Sequence, residues 1–66
     1  MKADYKGYRI STWPEQDNVT GLWNGRYRIL DDKEIVAYES FAEPVHDENE
    51  AHEAANVEAR AWIDKQ

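Results

Sequence analysis

Two hydrophobic periodicities meet at Pro44 and divide the chain into a sheet-forming part and a helix-forming part. Before Pro44, apolar and polar residues alternate along residues 6–13, 22–30 and 35–41, which is the pattern of strands with one buried face. After Pro44, alanines recur every three to four residues along residues 48–64, which indicates an amphipathic helix. The sequence therefore predicts an α+β domain, a three-stranded antiparallel β-meander with one C-terminal α-helix packed on one face (β-β-β-α).

The predicted helix has a defined start and a narrow apolar side. Asp47 is a good N-cap, and Glu50 three residues later completes a pair that resembles a capping box. The stripe that would face the sheet consists of Ala51, Ala55, Ala59 and Trp62. Because alanine is small, the helix can approach the sheet closely. Glu58 falls within this stripe, and we expect it to reach water, an arginine or a tyrosine hydroxyl near the sheet edge; the alternative is a buried, paired carboxylate.

Glycine and proline mark two special positions in the predicted strands. Gly25 lies on the inward face of the second strand, where a missing side chain suggests a bulge or a large neighbour such as Trp23 or Trp62. Pro14 lacks a backbone donor, so we expect the first strand to end there.

The register of the second hairpin has two alternatives. The favoured one pairs Arg26 with Glu39, because it sets opposite charges opposite each other on the outer face. A slip of one residue would instead turn Ile35, Ala37 and Phe41 inward.

The size and charge of the chain limit what it can be. Its 66 residues are enough for one domain, spanning residues 1–66, and the absence of cysteine excludes disulfides. Large aromatic side chains or dimerisation must then offset the small core. The net charge of −6 disfavours binding to nucleic acid and to anionic membranes. With no long apolar run and no signal-like N-terminus, we expect a cytoplasmic protein that does not associate with membranes.

Four short patterns together suggest a relationship with other proteins. They are Tyr5-x-Gly7-Tyr8-x-Ile10, Gly21-x-Trp23, Tyr27-x-Ile29 and Ala61-Trp62-Ile63-Asp64. This arrangement resembles a group of small uncharacterised proteobacterial proteins, β-meander-plus-helix domains classed as domains of unknown function. The resemblance implies the same fold and a bacterial or phage origin, and it supplies no catalytic residue.

Neither a metal site nor a catalytic centre is indicated. His46 and His52 are six residues apart, whereas two ligands on one helix face are spaced by three or four. The serines and threonines lie in no nucleophile motif, and no glycine-rich turn leads into the helix. We therefore expect a protein that is not an enzyme and holds no cofactor and no metal.

The face of the sheet opposite the helix is the best candidate for a functional site. The side chains expected to project from it, and to bind a partner, are Arg9, Trp13, Asn24, Arg26 and Arg28. Trp and Arg are typical of protein interfaces, which favours a small protein-interaction module with a protein partner or a homodimer. One alternative is a nucleic-acid-associated accessory protein using the same Arg/Trp face. A second is an acidic phage-type inhibitor or nucleic-acid mimic, and a third is a plain solvated face.

Overall fold

A computed structural model of the chain describes residues 2–66, which form one four-stranded antiparallel sheet and one helix. The elements are β1 (Lys2–Tyr5), β2 (Tyr8–Gln16), β3 (Trp23–Leu30), β4 (Val36–Phe41) and α1 (Glu48–Asp64). The strands lie in the order β1-β2-β3-β4, and α1 packs on β2 and β3. The α+β class is confirmed. The three-stranded meander is wrong, because the sheet has four strands.

The additional strand, β1, forms a tight hairpin with β2. Lys6 and Gly7 make its two-residue turn with φ angles of +49° and +85°, as a type I′ turn requires. The predicted first strand began at Lys6 because the alternation of apolar residues begins there. Lys2–Tyr5 is too short and too polar to show a pattern of its own.

Strand β2 continues beyond Pro14, although the missing backbone donor predicted that it would end there. Pro14 lies opposite Gly25, whose carbonyl oxygen accepts a hydrogen bond from the Ala42 N–H on the β4 side, at 2.8 Å. The backbone of Pro14 must then point away from β3. It points to the side on which β1, within residues 2–66, pairs with β2 only as far as Ser11. The strand tolerates a proline at such an unpaired edge position.

The core lies between the alanine side of α1 and the inner face of β2 and β3. Its buried members are Ile10, Tyr27, Ile29, Ala55, Ala59 and Ile63. Gly25 marks the closest approach of helix and sheet. A methyl group on Gly25 would collide with the backbone carbonyl of Ala51 and lie 3.1 Å from the Cβ of Ala55. The large neighbour over Gly25 is therefore the helix backbone, and not Trp23 or Trp62.

Aromatic rings extend the core toward β4. The half-buried Trp62 stacks on Tyr38, with ring centroids 5.1 Å apart and an interplanar angle of 9°, and meets Tyr8 edge-on at 6.1 Å. Glu58 is exposed, and its Oε1 lies 3.5 Å from the hydroxyl of Tyr27. This carboxylate reaches a tyrosine hydroxyl, as expected, and is not buried.

The second hairpin follows neither of the two registers considered. Arg28, rather than Arg26, lies opposite Glu39, a shift of two residues from the favoured pairing. An even shift keeps each side chain on its face, so Tyr38 still points to the helix. The pairing is irregular at the start of β4, next to a turn in which the Asp31 carboxylate accepts backbone hydrogen bonds at 2.8 and 2.9 Å. The alternation of apolar residues does not show where the Asp31 carboxylate closes the turn or where the strand pairing is irregular. The register of this hairpin could therefore not be predicted from the alternation.

Candidate functional site

The outer face of the sheet, meaning the side opposite α1, carries the five side chains predicted to bind a partner. They are Arg9 and Trp13 on β2, and Asn24, Arg26 and Arg28 on β3. Alternation places them there, because the residues between them are turned toward the helix and mostly buried. The β2–β3 register sets Trp13 opposite Arg26 and Asn24 opposite Glu15. The structure therefore brings four of the five into one patch, with Arg9 toward the β1–β2 turn.

Arg28 lies between an aromatic ring and a carboxylate. Its guanidinium carbon is 5.7 Å from the centre of the Trp13 ring, within the range of a cation–π contact. Its Nε is 3.1 Å from a carboxylate oxygen of Glu39 on β4. Both partners hold the guanidinium close to the sheet, although all three side chains remain partly exposed.

Arg26, two residues before Arg28 on β3, also lies between an aromatic ring and a carboxylate. Its guanidinium carbon is 5.6 Å from the centre of the Phe41 ring, and its Nε is 3.3 Å from Glu15 Oε2. The same carboxylate oxygen accepts a long hydrogen bond from the indole N–H of Trp13, at 3.4 Å. Trp13, Arg26 and Phe41 thus form a continuous layer across three strands.

Arg9 belongs to a separate, more acidic part of the outer face. Its Nε is 3.3 Å from Asp4 Oδ1, and its Nη1 is 3.2 Å from Glu34 Oε1. These groups and the adjacent Asp31 and Asp32 line an open depression beside the two hairpin turns. The Arg9 guanidinium is therefore already neutralised by two carboxylates.

Two members of the patch, Phe41 and Glu15, were not predicted from the sequence, and a third, Glu39, was predicted on the outer face with a different partner. Phe41 is 56% exposed, and it covers Arg26 only because β4 is displaced by two residues from the favoured register. Glu39 was expected to pair with Arg26 instead of Arg28. Glu15 was assigned to a loop, because the first strand was expected to end at Pro14. Once β2 extends to Gln16, alternation puts Glu15 on the outer face.

The part of the outer face around Trp13 is electrically neutral, because Glu15 and Glu39 balance Arg26 and Arg28, whereas the part around Arg9 has an excess of carboxylates. Each arginine is ion-paired, and the carboxylates that pair with them are Asp4, Glu15, Glu34 and Glu39. The excess negative charge of the chain therefore resides outside the part around Trp13. The patch combines aromatic surface with guanidinium groups whose charge is already balanced.

The inner side of the sheet offers no comparable chemistry. The Oγ1 of buried Thr12 lies 3.0 Å from Nδ1 of His52, so this imidazole packs against β2. Burial raises the pKa of the Tyr27 hydroxyl. Within residues 2–66 there is no group of three or more His, Cys, Asp or Glu side chains arranged to hold a metal ion.

Comparison of the chain with protein-family models, with curated proteins and with solved structures finds no significant match. The resemblance to small proteobacterial domains therefore stays a prediction. In the described part of the chain, no helix is long and apolar enough to cross a membrane.

Proposed function

We propose that the chain is a small, non-enzymatic, cytoplasmic protein-interaction module whose outer sheet face binds a protein partner. The observation that carries this proposal is the group of Trp13, Arg26, Arg28 and Phe41, which is half-buried to exposed and lies outside the core beneath α1. Residues of these types supply most of the binding energy in protein interfaces.

The state of the arginines favours a protein partner over a nucleic acid. A phosphate backbone attracts free cations, whereas each guanidinium here would first have to leave a carboxylate at 3.1 to 3.3 Å. A protein surface can cover ion pairs that are already formed and stacked on aromatic rings, and it then desolvates no lone charge. The net charge of −6 opposes nucleic acid as well.

The test compares outer-face variants with an arginine variant on the helix. Trp13→Ala and Arg28→Ala should weaken binding of an affinity-captured partner by at least about tenfold. Because these side chains are outside the core, unfolding free energies should change by less than about 1 kcal/mol. Arg60→Ala, on the exposed side of α1, is the matched control and should bind as the wild type does.

Chemical-shift mapping with the captured partner distinguishes the alternatives. Perturbed amides in β2 and β3 support the proposal. Perturbations confined to residues 43–64, with β2 and β3 silent, would overturn it in favour of the acidic inhibitor. A generic oligonucleotide that binds in low salt, is released by high salt and depends on Arg28 would instead indicate the nucleic-acid accessory protein.

A further inference from the structure

The two edges of the sheet are protected very differently. Strand β1 has only four residues and carries two charged side chains, Lys2 and Asp4, of which Asp4 is paired with Arg9. In β4, every residue except Ser40 is exposed, and the large exposed apolar side chains are Val36, Tyr38 and Phe41. Natural edge strands are commonly blocked by lysine, proline or unpaired charge. The single charge of β4, on Glu39, is already neutralised by Arg28 at 3.1 Å.

The second half of β4 presents free backbone groups to a further strand. The N–H of Ala42 donates to the carbonyl of Gly25 on β3, so the backbone N–H and C=O groups of Ala42 point toward β3. In a regular antiparallel ladder the direction alternates from residue to residue. Glu39 and Phe41 therefore turn their N–H and C=O groups away from β3. The irregular pairing lies before Tyr38, so this part of the edge is regular.

We propose that β4 pairs antiparallel with β4 of a second copy of the chain, about a two-fold axis at Ser40. In this register, Glu39 lies opposite Phe41 of the second copy, and both use their free backbone groups. An axis at Glu39 would set two like charges directly opposite each other, which destabilises a sheet. An axis at Tyr38 would draw the irregular start of β4 into the pairing.

Charge complementarity favours a second copy of this chain, over a strand of an unrelated protein, as the partner of β4. The guanidinium of Arg26 lies over the Phe41 ring of the same chain, with its central carbon 5.6 Å from the ring centre. In the proposed dimer, Glu39 of the second copy lies on the outer face beside that ring. Its carboxylate stays paired with Arg28 of its own copy and extends that ion pair toward Arg26, which keeps its own pair with Glu15. The two-fold axis repeats the contact, so each copy supplies one carboxylate and one arginine. This inference does not rest on the proposed function, because it depends on the free backbone groups of β4, although Phe41 and Glu39 also belong to the outer-face patch.

The first experiment measures molar mass by light scattering over a dilution series. We expect the mass to rise with concentration from 7.7 kDa toward twice that value. Phe41→Pro removes the outward N–H at an edge position that tolerates proline, and it should raise the dissociation constant at least about tenfold. Phe41→Ala keeps the N–H and should weaken the dimer less. Asp4→Pro, which places the same block on the β1 edge, is the matched control and should leave the dimer intact.

Amide hydrogen exchange in the wild-type chain gives a readout that needs no variant. The amides of Glu39 and Phe41 should exchange slowly at concentrations where the dimer forms and rapidly on dilution. A chain that stays monomeric up to its solubility limit would overturn the inference, and β4 would then be available to pair with a strand of another protein. A dimer that survives Phe41→Pro, or one in which these two amides stay unprotected, would overturn it as well. Trp13→Ala should still dimerise, which separates this test from that of the outer-face patch.

Discussion

At the scale of single residues, Gly25 explains why the helix carries alanines. The backbone of α1 comes so close to β3 that Gly25 has no room for a methyl group under Ala51. Ala51, Ala55 and Ala59 are all fully buried, so the smallest side chains occupy the whole line of closest approach. Along this line the backbones of α1 and β3 lie close together with no bulky aliphatic side chains between them. A larger side chain on either element would push the helix away from the sheet.

Gly25→Ala is therefore expected to cost about 3 kcal/mol or more of unfolding free energy, because neither backbone can move away cheaply. Gly21→Ala is the control. Gly21 has φ of +76° with nothing within 4 Å of the added methyl, so only the conformational cost of about 1–2 kcal/mol applies. Urea unfolding of both variants measures the difference. Equal losses would show that the helix does not press on Gly25.

At the scale of the elements, α1 is joined to the sheet by aromatic rings as well as by alanines. Trp62 lies near the end of the helix and bridges two strands that are not neighbours, through Tyr8 on β2 and Tyr38 on β4. It is only half-buried, since β4 extends beyond the cover of the helix. Trp62 therefore links the exposed edge strand to the rest of the core.

Trp62→Ala should destabilise the domain by about 2–4 kcal/mol, somewhat less than a fully buried tryptophan would. The matched variant is Val57→Ala on the same helix. Val57 is 67% exposed, so this change should cost less than about 0.5 kcal/mol. Thermal unfolding followed by circular dichroism measures both. A Trp62→Ala protein that melts within a degree or two of the wild type would contradict the packing described.

Elements with strong local signals could be predicted, and those set by distant contacts could not. The helix has its cap at Asp47, whose Oδ2 accepts from the N–H groups of Asn49 and Glu50 at 3.0 and 3.2 Å, and a regular stripe. In contrast, β1 is formed because β2 offers it an edge, and its own residues carry no pattern. The five outer-face residues could be predicted from alternation alone. Phe41 and the Arg28–Glu39 pair could not, because they depend on the hairpin register.

At the scale of the whole molecule, one cluster connects residues from opposite ends of the described chain. Asp64 Oδ1, at the end of α1, accepts hydrogen bonds from Lys6 Nζ at 2.7 Å and from the Tyr5 hydroxyl at 2.9 Å. The bond from Lys6, and then that from Tyr5, hold the pKa of Asp64 below its ordinary value of 3.8. The same carboxylate raises the pKa of Lys6 above 10.5.

These two shifts predict how the contribution of the cluster depends on pH. Because the pKa of Asp64 is depressed in the folded chain, its contribution is present above pH 3.8 and is lost as the pH falls through the folded pKa. Because the pKa of Lys6 is raised, its contribution is present below pH 10.5 and is lost as the pH rises through the folded pKa. The wild type should therefore exceed Asp64→Asn in stability most clearly between these limits.

Denaturant unfolding of the wild type and of Asp64→Asn across this pH range measures the difference directly. Glu53→Gln, at an exposed position of α1, should instead track the wild type at every pH. A stability gap between the wild type and Asp64→Asn that stays constant into strong acid would contradict the assigned role of Asp64.

The same cluster has a consequence for the order of events in folding. Its partners are separated by 58 and 59 positions, so forming it closes nearly the entire chain into one loop. Each hairpin needs only a short loop and can form early, whereas a contact this distant follows the docking of α1. We expect the contacts of Asp64 with Tyr5 and Lys6 to be the last to consolidate. By the same reasoning, the end of α1 and the β1–β2 turn should be the first to come apart when the native state fluctuates.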